Sequence, residues 1–138
     1  YINTNQSFAF ADGTVTASYG TATPKEHVDR NGTDKDGVEL NPVVVIEGLK
    51  TNLIRDLKTN VANELAKTDW YITRNTEKST AIPSAISTHR DAVRTKQANM
   101  ETAITNAADT AALETLHTYT TTDGVQSRPL GELPVLES

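Results

Sequence analysis

Apolar side chains in the middle of the chain recur at three- and four-residue steps: Ile46, Leu49, Leu53, Leu57, Val61 and Leu65, with Ile54 widening the stripe. Lys50, Asn52, Arg55, Asp56, Lys58 and Asn60 fill other positions. One face of a helix repeats at this interval, and the pattern predicts a helix that ends near Lys67, ahead of Thr68-Asp69-Trp70. Two signals compete for its start, which falls between residues 42 and 48. Asn41-Pro42 suits an N-cap followed by the first helical residue. The β-branched run Val43-Val44-Val45-Ile46 before Gly48 reads instead as a strand. A second stripe, made of Ile86, His89, Val93, Met100, Ile104 and Ala107, predicts a helix with Pro83 just inside its start and Ala107 near its end. Ala85, Ala92 and Ala103 lie beside that stripe and permit close helix–helix approach. Asp109 is a candidate N-cap for a short third helix over Thr110–His117, which carries Leu113 and Leu116. Arg74 to Ala81 reads as a polar connection.

The N-terminal segment follows a different period. Ser7–Ala11 and Thr14–Tyr19 flank Asp12-Gly13, a two-residue turn signal in which Gly tolerates positive φ. Such a turn sets Phe10 opposite Val15 and Phe8 opposite Ala17, which puts all four on one face and Thr14, Thr16 and Ser18 on the other. Turn register and alternation therefore agree on an antiparallel hairpin, extended in one version by Val38-Glu39-Leu40 or by the C-terminal tail. Residues 20–41 are polar and turn-rich, with Asn31-Gly32 and Asp36-Gly37 each able to close a turn. Asp123-Gly124, Pro129 and Pro134 mark the tail as a turn followed by an extended segment. The expected fold class is α+β: an N-terminal antiparallel hairpin or small sheet, then an antiparallel helical hairpin and a short third helix. The expected regions are 1–41 (β-rich with a polar loop), 42–117 (helical) and 118–138 (extended tail).

Composition qualifies this picture. The hydrophobic class makes up 36% of the chain and aromatics only 5%, and adding the 7 Gly still leaves it short of the roughly 45–50% apolar content of an average globular chain. Chains of this kind often complete a core against a partner subunit, so a homo-oligomer or larger assembly is expected. The formal net charge is −5, and Lys and Arg are interspersed with Asp and Glu throughout. With no basic stripe, neither nucleic acid nor an anionic membrane surface is an expected partner. The longest aliphatic run, Val43–Ile46, is far short of the ~20 residues a spanning helix needs. The polar N-terminus lacks a signal-peptide pattern, and a start at Tyr1 instead of Met leaves room for a short leader that has been cut or left out. Cysteine is absent, which removes disulfides and thiol chemistry together.

Candidate chemistry is thin. Asp34-Lys35-Asp36-Gly37 shares letters with a calcium loop, but the loop's two end positions would be Gly32 and Val43, neither of which carries a side-chain oxygen. His89-Arg90-Asp91 copies three letters of the kinase catalytic loop. The Asn expected five residues later is Lys96, and no glycine-rich phosphate loop precedes it. His27, His89 and His117 are too dispersed for a zinc pair. No nucleophile, base and orienter assemble from the remaining residues. The expectation is a protein without catalytic residues, cofactor or metal. Trp70, the single tryptophan, is expected to fold back against Leu65, Ile86 or Val93 as a buried plug, its indole N–H bonded to an oxygen; the alternative is an exposed contact for a partner.

One stretch carries a resemblance. Leu65-Ala66-Lys67-Thr68-Asp69-Trp70-Tyr71-Ile72-Thr73-Arg74, then Ile82-Pro83, then His89-Arg90-Asp91-Ala92-Val93-Arg94, resembles a pattern in small tail-associated virion and tail-fibre assembly proteins of tailed bacteriophages. That pattern is a helix, Thr-Asp-Trp, an Arg or Asp a few residues on, a Pro, and a Tyr-Arg-x-x-Leu-Arg-like helix; His89 stands where many relatives have Tyr. Asn99–Thr122 and Ser127-Arg128-Pro129-Leu130-Gly131-Glu132 are similar to the T4-like marine phage group, cyanophages included. The resemblance covers roughly residues 49–133. It implies a non-enzymatic structural component of a phage tail, at the baseplate or a fibre attachment, made in the bacterial host cytoplasm and located in the virion. Its partners would be other tail proteins. The alternative it implies is a tail or tail-fibre assembly chaperone absent from the mature virion. It casts Trp70, Arg74, Arg90 and Arg94 as packing or interface residues, and the residues read directly add Tyr71, Pro83 and His89 to that set.

Overall fold

The computed structural model describes residues 6–136. The fold is α+β, with small antiparallel sheets and four helices among those residues. The chain divides into two compact units, Tyr1–Leu49 and Lys50–Ser138.

The first unit opens with the hairpin. Strands β1 (Ser7–Ala11) and β2 (Thr14–Ser18) pair in the expected register, Phe10 opposite Val15 and Phe8 opposite Ala17. Asp12 and Gly13 both take positive φ, 51° and 76°, the geometry a type I′ turn needs to match strand twist. The sheet stops at two strands, so neither Val38–Leu40 nor the tail extends it. A second ribbon pairs β3 (Arg30–Asn31) with β4 (Val45–Ile46). It continues through Gly32, whose N–H donates to Val44 O and whose carbonyl accepts from Leu40 N. Within the loop, Asp34 Oδ1 accepts the main-chain N–H groups of Asp36 and Val38, each at 2.9 Å. The Asp-rich segment is thus a turn closed by its own carboxylate.

Helix α1 covers Leu49–Ala66. It begins just beyond the 42–48 window, because Val45 and Ile46 are drawn into the ribbon and Gly48 turns the chain. A Cβ at Gly48 would run into the Val28 main chain, and the Gly48 N–H donates to Asp29 Oδ1 at 2.7 Å.

In the second unit, α2 (Asp69–Lys78), α3 (Ser84–Asn106) and α4 (Thr110–His117) follow α1. Helix α2 replaces the polar connection expected over Arg74–Ala81. Its Trp, Tyr, Ile and Thr residues are modest helix formers, and what holds it is local. Asp69 sits in the first turn and Lys78 in the last, where each complements the helix dipole. Thr76 bonds back to Ile72 O, and Ser79 closes the end in the left-handed region. Pro83 lies one position outside α3, as its N-cap residue, and its carbonyl accepts from Ile86 N. The Asp109 cap forms as expected, accepting Ala112 N–H at 2.8 Å.

Helices α1 and α3 run antiparallel. Lys50 Nζ reaches Thr105 O, Lys58 approaches Glu101, Glu64 faces His89, and Leu65 O accepts from Arg90. The core is the α3 stripe of Ile86, Val93, Met100 and Ile104 against Leu57, Val61, Leu113 and Leu130. Val93 and Ile104 are sealed at 0% and 1% exposure, and each such side chain stabilises the fold by roughly 1.5–3 kcal/mol. The tail forms a further hairpin, β5 (Thr120–Thr122) with β6 (Val125–Ser127). It is then clamped where Arg128 meets Glu132 at 2.7 Å, with Tyr119 O–H also donating to Glu132. Among the described residues, no helix is long and apolar enough to cross a membrane.

Candidate functional site

Two arrangements on the second unit concentrate polar and aromatic chemistry, and both start from the break between α1 and α2. Thr68 makes the break. Its N–H and its hydroxyl both donate to Leu65 O, at 3.0 and 2.9 Å, and it is 1% exposed. Into this corner α3 sends Arg90, one turn beyond Ile86 on the apolar stripe. Arg90 Nη1 donates to Leu65 O at 2.8 Å, Thr68 Oγ1 at 2.6 Å and Asp69 Oδ1 at 2.8 Å. A buried guanidinium needs such partners to offset lost hydration, and here they come from the helix break itself.

Beside it, His89 Nε2 lies 3.4 Å from Glu64 Oε1. Both atoms are buried without a well-aligned hydrogen bond among the described residues. Lys67 donates to the other Glu64 oxygen. That ammonium holds the Glu64 carboxyl below the usual carboxylate range, against burial, which pushes the other way, and with smaller help from His89.

The second arrangement is exposed. Trp70 is 56% exposed and makes no hydrogen bond with a described residue, which overturns the buried plug. The reason is the phase of α2: Thr68 takes the inward position at the break, and Trp70 falls on the opposite side of the helix start. The ring is instead covered by its own helix. Arg74, four residues on, lays its guanidinium 4.5 Å over the Trp70 ring and 5.4 Å over the Tyr71 ring. The two rings meet at 5.2 Å and 49°. Helical side chains lean toward the N-terminus, so Arg74 naturally reaches back over these rings. Trp70, Thr73, Arg74, Glu77 and Lys78 line a shallow cleft of about 440 Å³.

The residues expected at a packing surface or interface therefore separate. His89 and Arg90 are buried packing residues. Trp70, Tyr71 and Arg74 form one outward cluster. Pro83 is an exposed helix start, and Arg94 is exposed with a local pair to Asp91 at 3.2 Å. Sequence reasoning missed Glu64, Thr68 and Asp69. An Arg at a four-residue step from Ile86 on an apolar stripe signals a buried partner, but its identity depends on where α1 stops. Among the described residues, no group of three or more His, Cys, Asp or Glu is placed to hold a metal ion.

Compared with family models, curated proteins and solved structures, the chain shows no match in any of the three.

Proposed function

We propose that this chain is a non-catalytic structural component of a bacteriophage tail, at the baseplate or a fibre attachment, which works through protein–protein contacts inside an oligomer or larger assembly. The observation that carries the interaction reading is the first unit. All of the buried hydrophobic side chains among the described residues belong to the second unit. The first unit leaves Phe8, Phe10, Val15, Val38 and the run Val43–Ile46 exposed, with Phe10 at 75%. Two-stranded ribbons without a covered face are marginal in water, and exposed apolar side chains concentrated in this unit support a contact site there.

The assignment to a phage tail rests on the sequence resemblance over residues 49–133. A structural subunit is favoured over an assembly chaperone because the exposed hairpin and ribbon lie outside that helical stretch, which alone would serve a minimal chaperone. On this reading the protein is made in the bacterial host cytoplasm and located in the virion. The test is mass spectrometry of purified tailed particles beside the infected-cell lysate. A fixed copy number of this chain in the particle is the expected result. Its presence in the lysate alone would make it the chaperone and end the structural reading.

A further inference from the structure

The outward cluster on α2 is built like a receptor for one specific chemistry. The Trp70 and Tyr71 rings lie against the Arg74 guanidinium at 4.5 and 5.4 Å and offer its N–H groups no oxygen acceptor, which leaves the terminal Nη groups as its donors. Arg74 makes no hydrogen bond or ion pair with any described residue, and its Nε is shut off from water with no acceptor. A buried donor without an acceptor is a standing cost in the free protein, while the terminal Nη groups, which are not enclosed in this way, are left to meet an incoming acceptor.

Nearby acids do not fill the role. Asp69 is committed to Arg90 at 2.8 Å. Glu77 is within one turn of Arg74 but forms no ion pair with it, because Arg74 leans the other way, over the rings. Lys78 is also unpaired among the described residues. The cleft thus offers two cations against one carboxylate, in a chain whose net charge is −5. One incoming carboxylate suits that balance. A polyphosphate backbone does not, since it needs a broader basic surface. The half-exposed Trp70 ring beside the guanidinium adds apolar contact area, and Trp, Tyr and Arg are the residue types that dominate interface energetics.

We infer that the Trp70–Tyr71–Arg74 cluster is a docking site for a protein partner that presents an aspartate or glutamate side chain flanked by apolar residues. The carboxylate takes the Arg74 edge as a bidentate pair, and an apolar neighbour lies on Trp70. This rests on reading the chain as an interaction protein, but its readout is equilibrium binding to the purified chain. Absence of the chain from virions would therefore leave it standing, and failure to bind would leave the virion reading standing.

The tryptophan is unique in the chain, so its fluorescence reports this site alone. The probes are capped hexapeptides with a central Asp or Glu between Leu or Phe residues, each paired with its Asn or Gln counterpart. The acidic peptides are expected to shift Trp70 fluorescence saturably, at least ~10-fold tighter than the amides, which is the scale of a charge-assisted pair. Arg74→Lys keeps the charge but loses the planar fork, and should remove most of that preference while the helical melt stays in place. Glu77→Gln should strengthen acidic-peptide binding. Equal binding of acid and amide would reduce the site to an apolar patch and overturn the inference. So would the absence of any saturable shift at millimolar peptide.

Discussion

Arg90 Nη1 and Thr68 Oγ1 lie 2.6 Å apart, and this contact ties α3 to the point where α1 stops and α2 begins. The Thr68 hydroxyl donates to Leu65 O and accepts from Arg90. One small side chain thereby ends one helix and pins its end to another. The corner is dry, with Thr68 at 1% and Arg90 at 8% exposure, so its hydrogen bonds are not readily replaced by water.

Removing either partner should therefore be costly. Thr68→Val keeps the shape and deletes an acceptor of a buried cation, a loss of roughly 1.5–3 kcal/mol. Arg90→Ala also opens a cavity and should cost about 2–4 kcal/mol. Asp69→Asn, at a carboxylate that is 59% exposed, should change stability by less than about 1 kcal/mol. Urea unfolding followed by far-UV circular dichroism ranks the three, and an Arg90→Ala midpoint equal to wild type would contradict the assignment.

Trp70→Ala gives the opposite expectation from the one its size suggests. A buried tryptophan would cost roughly 3–5 kcal/mol on truncation, but this ring is 56% exposed and lies on its own helix. The expected loss is about 1 kcal/mol or less, on the scale of an exposed cation–π contact. Thermal melting of the helical signal decides it: a melting temperature lowered by ten degrees or more would return Trp70 to the core.

The contrast between these residues shows where the sequence speaks. The α3 stripe from Ile86 to Ile104, the Asp109 cap and the Phe10–Val15 register were all legible, because each is set by a regular repeat, a single cap or one strand pair. Helix α2 was not, since its β-branched and aromatic residues have weak helical preference and its first turn is anchored by tertiary contact with Arg90. The side Trp70 faces depends on the two-residue break at Lys67-Thr68, which shifts the helical phase, and no periodicity that ends at Leu65 carries that information. The cluster with Arg74 follows only once residues 70 and 74 are known to lie on one helix.

Acid stability should carry the mark of Glu64. Its carboxyl is held below the ordinary range, first by Lys67. A depressed folded-state value means the charged form is favoured by folding. That contribution is fully present above the unfolded value of 4.5 and is lost as pH falls through the lower folded value. Glu64→Gln removes the titration, so the stability advantage of wild type over the variant should shrink as pH falls below the unfolded value of 4.5. Denaturant titrations between pH 3 and 7 measure it, and a gap that widens toward low pH would reverse the sign.

The hairpin face offers the last prediction. Phe8 and Phe10 lie on one face of β1 at 66% and 75% exposure, and no buried hydrophobic side chain among the described residues belongs to their unit. Side chains that contribute little burial to the isolated chain can be made polar at little cost to it, within about 0.5 kcal/mol each. If the face is covered in the assembly, the same changes remove aromatic anchors of the kind that fill interface pockets. Phe8→Ser with Phe10→Ser should therefore leave the α-helical melting transition where it is. It should shift the sedimentation profile toward monomer and weaken incorporation into the assembly by a factor of ten or more, about 1.4 kcal/mol. Salt should be kept near 0.15 M during the measurement, where screening limits the repulsion between chains of net charge −5. A double variant that sediments and assembles like wild type would show that the hairpin face is bare in the working state, and would move the contact surface to the Val43–Ile46 ribbon or to α2.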